Sequence, residues 1–190
     1  MFSTFSVYNI LEQIQEEIPG FRIMLRKDSK FLSLLFKVLS SVTKKSYGDY
    51  ATTIGRTFYV PDDFWKREEF TQYTVLSHEF MHLRQFRNWP FKFLGRGRFW
   101  GINACIMSFC YLFVLPVFCT FRAKFEREGY KQTLLCFWRN GNLTTEEERH
   151  KTAEWIASTF SSSAYFYMWT HKKAYDWARQ CIREFAILDK

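Results

Sequence analysis

Apolar positions recur at helical spacing over residues 6–18 (SVYNILEQIQEEI), and the pattern stops at Pro19-Gly20, a pair that ends helices. Residues 21–27 (FRIMLRK) alternate as a strand does, and residues 31–42 (FLSLLFKVLSSV) return to a helical period. The stretch 47–61 (YGDYATTIGRTFYVP) is rich in Tyr, Thr, Val and Ile and closes on a proline. It predicts a strand, with Gly55 marking it as an edge. From Asp62 and Asp63, residue types that cap helices, a long helical pattern runs to Asn88-Trp89-Pro90. Three more helices follow: one over 122–138 ending at Asn140-Gly141-Asn142, one over 144–160 capped by Thr144 or Thr145, and one over 171–188. This order predicts an α+β domain, a short sheet with an edge strand against several helices, mostly helical in its C-terminal half.

The length of 190 residues suits one domain, read as a sheet and a long helix over about 1–90 and a helical subdomain over about 91–190. With 47% apolar and 24% charged residues the chain has the balance of a folded globule, which excludes disorder and fibrous repeats. Aromatic residues reach 21%, enough to build a core from large rings. A net charge of +8 attracts nucleic acid, anionic membrane or acidic protein without choosing among them. The five cysteines contain no CxxC pair and form an odd set, so reduced, buried thiols in a cytoplasmic protein are expected. The N-terminus meets acidic residues before any long apolar run, unlike a secretion signal.

The sharpest chemical feature is His78-Glu79-Phe80-Met81-His82, an HExxH motif inside the long predicted helix. Histidines four apart lie on one helix face, so both imidazoles reach a single zinc ion. Glu79 is rotated about 100° around the axis, beside the ion and not on it. There an unligated carboxylate can take a proton from water that the ion has made more acidic. The competing explanation is a helix with two buried histidines and a paired glutamate.

A zinc hydrolase needs a third protein ligand. An HxxGxxH continuation would require glycine at 85 and histidine at 88, where the chain has Gln85 and Asn88. His150 follows the acidic run Glu146-Glu147-Glu148, and His171 precedes Lys172-Lys173, so both read as solvated positions. A downstream glutamate is the remaining class. Glu126 heads it because its helix is entered from an uncharged run and should bury one face. An Arg122–Glu126 pair on a solvated face is the alternative, Glu128 points some 160° away, and His150 stays in reserve.

HExxH with a glutamate on a later helix resembles the gluzincin zinc metallopeptidases, and the short chain resembles the minigluzincins and small phage and bacterial metallopeptidases. The shared pieces are a Tyr/Thr/Val strand (51–60), Ser77-His78-Glu79-Phe80-Met81-His82, an apolar stretch containing Pro116, and Arg122-Ala123 before Glu126 and Glu128. They span about residues 47–130. The resemblance implies a zinc-dependent endopeptidase holding one Zn2+ per chain on His78, His82 and Glu126, with Glu79 as the base. It further implies that an acidic residue four after the ligand glutamate orients a ligand histidine, where this chain has Tyr130. An edge strand over Thr52–Thr57, at Ile54 and Gly55, would bind extended peptide, and an oxyanion partner would come from Tyr167, with Tyr165 and His171 as the alternatives.

Residues 99–121 carry no charge and are long enough to cross a membrane. One crossing would separate His82 from Glu126 by about 30 Å of hydrocarbon, against bonds to zinc of about 2 Å. A buried or surface-lying hairpin is therefore expected, in a cytoplasmic monomer acting on protein or peptide. The basic, aromatic loop FKFLGRGRFW leaves peripheral membrane contact open. Two other readings stand beside this one. The first is a DNA-associated protease resembling the Spartan type. The second is a non-enzymatic membrane-bound protein with an accidental HExxH.

Overall fold

The computed structural model describes residues 5–30, 32–34, 37, 41, 51–88, 106, 119–165 and 167–188. The chain divides into two compact units, Thr4–Cys110 and Tyr111–Lys190, the latter joined by Met1–Ser3. The architecture is α+β, as the pattern predicts.

In the first unit, helix α1 (Val7–Glu17) is capped by the Ser6 hydroxyl, which accepts from the Asn9 N–H. It buries Ile10 and Ile14 and ends where Pro19 follows. Strand β1 (Arg22–Leu25) runs parallel to β3 (Thr57–Val60), and β2 (Thr52–Ile54) pairs antiparallel with β3, giving the order β1-β3-β2. The stretch expected as one strand is thus a hairpin. Gly55, at φ +61°, takes the left-handed conformation at the first of two turn residues, which only glycine adopts without cost and which reverses the chain. Among the described residues β2 forms one edge of the sheet and β1 the other. The predicted helix over 31–42 is described only at 32–34, 37 and 41, all helical.

Helix α2 (Glu69–Asn88) starts later than Asp62 and Asp63 suggest. The Asp63 carboxylate makes no capping bond to the turn that follows and accepts from the Arg67 guanidinium at 3.0 Å, the partner that most lowers its pKa from the ordinary range. A 3₁₀ turn, Phe64–Lys66, occupies the interval. Helix α1 packs on α2, and Arg84 of α2 reaches Glu17 at 2.7 Å while Arg87 donates to the Glu17 carbonyl at 2.9 Å. Ile14, Ile18, Phe58, Phe64, Leu76 and Leu83 are fully buried and form the core of this unit.

The second unit contains α3 (Cys119–Arg139), α4 (Glu146–Phe160) and α5 (His171–Leu188). Gly141, at φ +77°, ends α3: the Asn142 N–H reaches back to the Phe137 carbonyl at 2.9 Å, closing a Schellman turn. Of the two candidate caps for α4 it is Thr145 whose hydroxyl accepts from the Glu148 N–H, while the Glu148 carboxylate accepts from the Thr145 N–H. These bonds, with the Thr144 hydroxyl, hold the Glu148 carboxyl below its usual pKa. Thr145→Ala should lower the melting temperature by about 2–4 °C, the equivalent of one N-cap in a chain of this size, and Thr145→Ser should restore it. Differential scanning calorimetry measures both. Rings fill this unit: Phe160 stacks parallel to Tyr165 at 6.2 Å and lies against Tyr130, Trp169 and Trp177. Cys136 and Cys181 are buried and not joined in a disulfide, and burial pushes Cys181 up to about 11, so it stays un-ionised at neutral pH.

No helix among the described residues is long and apolar enough to cross a membrane. The uncharged run 99–121 and the basic loop 91–100 lie almost entirely outside the described residues, as do three of the five cysteines apart from the Cys119 backbone.

Candidate metal centre

Both motif histidines project from the interior of α2 (Glu69–Asn88), more than one turn from either end, where the backbone is bonded within the helix. Their spacing of four residues brings the rings edge to face, 5.0 Å between centroids. The two Nε2 atoms lie 3.2 Å apart. A proton or a cation between them turns that approach from repulsive to favourable. Two nitrogens held at about 2.0–2.1 Å from one tetrahedral ion would be about 3.4 Å apart, so the spacing is that of a shared ion to within about 0.2 Å.

Gln85 fixes the orientation of the second ring. Its side-chain oxygen lies 2.9 Å from His82 Nδ1, and a carbonyl oxygen only accepts, so neutral His82 carries its proton on Nδ1 and presents the Nε2 lone pair. Both residues are buried. Tyr130 stands where the resemblance places an acidic orienting residue, and it lacks that charge. Its hydroxyl lies 3.0 Å from that of Tyr165, while His82 receives its orientation from a residue one turn along its own helix.

Glu126, 3% exposed, sits on the α3 face that also buries Ala123, Phe125, Gly129, Tyr130 and Thr133. One ligand atom each from His78, His82 and Glu126 all lie within 4.8 Å of one another, so the three could hold a metal ion. Two nitrogens and one carboxylate oxygen form a donor set that suits zinc. It is the one group of three or more His, Cys, Asp or Glu with such spacing among the described residues. Glu128 is exposed on the same helix. His150 is bonded through Nδ1 to the Tyr175 hydroxyl at 2.8 Å, and His171 pairs with Glu154 at 3.1 Å. Arg122 places its guanidinium over the Tyr165 ring, 5.3 Å from the centroid.

Glu79, one residue beyond His78, is 8% exposed and turned toward the sheet. Its Oε2 accepts a hydrogen bond of 2.5 Å from the Thr53 hydroxyl on β2. Burial of a carboxylate is costly without such a donor. Thr53 and Gln85 are the two side chains around the motif that the sequence did not single out for a role. Gln85 appears in the sequence only where an HxxGxxH pattern would need glycine, and Thr53 lies 26 residues upstream of Glu79 and is joined to it only by the fold.

The remaining expected residues are placed as follows. Ile54 closes the β2–β3 hairpin against Thr57, and Gly55 occupies its turn. Tyr167 is exposed in the segment between α4 and α5, at φ +50°, with its N–H bonded to the Ser162 carbonyl at 3.0 Å. No protein-family model, no curated protein and no solved structure matches this chain.

Proposed function

We propose that this protein is a zinc-dependent endopeptidase. The observation that carries the reading is the facing pair of Nε2 atoms, 3.2 Å apart, with the Glu126 carboxylate among the same cluster of donor atoms. His78, His82 and Glu126 would hold the ion. When bound, zinc supplies Lewis-acid activation, lowering the pKa of a coordinated water towards about 7.

The chain's own residues do the rest. Gln85 keeps the Nδ1 proton of His82 in place and so leaves Nε2 free to bind. Glu79 uses Oε2 for Thr53, which leaves Oε1 to accept the proton from the attacking water and later pass it to the leaving amine. The edge position of β2 suits an extended peptide laid alongside as an added strand, the mode that makes main-chain recognition tolerant of side-chain identity. Peptide-bond hydrolysis, and not attack on another carbonyl, is favoured by that edge beside the base.

Metal analysis and proteolysis test this directly. Protein purified without chelator should contain about one zinc per chain and should hydrolyse casein, and chelation should abolish the activity until zinc is restored. Metal-free protein, or hydrolysis indifferent to chelator, overturns the reading.

A further inference from the structure

The strand β2 is joined to Glu79 through one residue. The hairpin register decides which one, and what its backbone does. With only Gly55 and Arg56 in the turn, Ile54 and Thr57 must exchange hydrogen bonds to close it. Antiparallel ladders alternate bonded and non-bonded pairs, so Thr53–Phe58 is non-bonded and Thr52–Tyr59 is bonded again. The backbone N–H and C=O of Thr53 therefore point away from β3, toward the sheet edge. Its side chain goes to the other partner: the residue is 8% exposed and its hydroxyl donates to Glu79 Oε2 at 2.5 Å. Thr52 and Ile54 have the opposite arrangement, with their backbones turned to β3 and their side chains on the far face.

We infer that Thr53 is a positioning residue that ties substrate docking to the catalytic base: its main chain pairs with the extended peptide while its hydroxyl fixes the Glu79 carboxylate. This rests on the endopeptidase reading and assigns it a main-chain anchor one residue before Ile54 and Gly55. The geometry carries a consequence for register. The peptide residue that pairs with Thr53 is held at a fixed offset from the carboxylate that serves the scissile bond, because one residue makes both contacts. Threonine suits the task, since its β-branch favours the strand and restricts χ1.

Two variants separate the roles. Thr53→Val keeps the branched shape and loses the hydroxyl, whereas Thr53→Ser keeps the hydroxyl. On a peptide that the zinc-loaded wild type cleaves from casein, Thr53→Val should retain about one zinc per chain and hold KM within about 2-fold. Its kcat should fall roughly 10- to 100-fold, the equivalent of one hydrogen bond to a charged group. Thr53→Ser should recover kcat to within about 3-fold. The main-chain contact is read without turnover: adding the same peptide to zinc-loaded Glu79→Gln protein should slow amide hydrogen exchange at Thr53 by at least about 10-fold. An unprotected Thr53 amide overturns the inference. So does wild-type kcat in Thr53→Val, zinc loss in that variant, or equal impairment of Thr53→Val and Thr53→Ser. If the wild type itself holds no zinc and cleaves nothing, the endopeptidase reading falls and takes this inference with it.

Discussion

Glu79→Gln should leave the zinc content at about one ion per chain and lower turnover by at least roughly 10²-fold. The substitution preserves shape and removes the one property that general-base chemistry needs, a carboxylate oxygen able to take a proton. Its amide oxygen still accepts from the Thr53 hydroxyl, which now reaches Glu79 at 2.5 Å, so the side chain keeps its place against the sheet. His78, His82 and Gln85 are untouched, which is why the metal should stay. Inductively coupled plasma analysis and a steady-state peptidase assay read the two quantities separately. Zinc retention with activity near that of the wild type would remove Glu79 from the chemistry and leave the motif as a holder of metal. Loss of zinc together with activity would mean that the carboxylate belongs among the ligands, so the base must be sought elsewhere.

Much of the local structure was legible because local physics dictates it. The last three helices fall where capping and glycine signals put them: α4 begins behind Thr145 and α3 ends at the left-handed Gly141. Histidines four apart on a helix must share a face, which the motif alone shows; the 3.2 Å approach of their Nε2 atoms is set by how the rings are turned. Glu126 was separable from Glu128 by the same periodicity, since residues two apart on a helix point nearly opposite ways, and the first is buried while the second is exposed.

What stayed hidden depended on contacts distant in sequence or on competition between equally local options. The β2–β3 hairpin reads as one strand in the sequence because both halves share the same Thr- and Tyr-rich composition. Only the positive φ at Gly55 divides them. Asp63 has the chemistry of a helix cap, but Arg67 four residues on offers a charged partner that competes with the backbone amide. The Thr53–Glu79 bond crosses from strand to helix, and nothing in either segment announces the other. Gln85 was visible only as a failed glycine of a different ligand pattern. The identity of the residue that orients His82 therefore emerged from geometry.

Removal of a ligand should have a different signature from removal of the base. Glu126→Gln replaces a carboxylate by a neutral amide oxygen, leaving two imidazoles and a weak third donor for a divalent ion. Zinc affinity should fall by at least about 100-fold, beyond the 10- to 100-fold typical of losing an orienting partner. Activity should vanish with it and return in part when zinc is supplied in excess. His78→Ala and His82→Ala should behave in the same way, because each removes one of the facing Nε2 donors. Gln85→Leu should be milder, weakening zinc within that 10- to 100-fold range, since the ring remains but its Nδ1 proton loses the acceptor that set its orientation. Glu128→Gln is the control: the residue is exposed on the same helix and is not among the clustered donors, so it should match the wild type in zinc content and turnover. Competition with a chromogenic chelator ranks the series. The order that upholds a His78–His82–Glu126 centre is Glu126→Gln and the two histidine variants weakest, Gln85→Leu intermediate, and Glu128→Gln unchanged. Retention of wild-type zinc affinity by Glu126→Gln would break it, because two histidines four apart on one helix would then be binding the ion without the carboxylate that the fold brings to them.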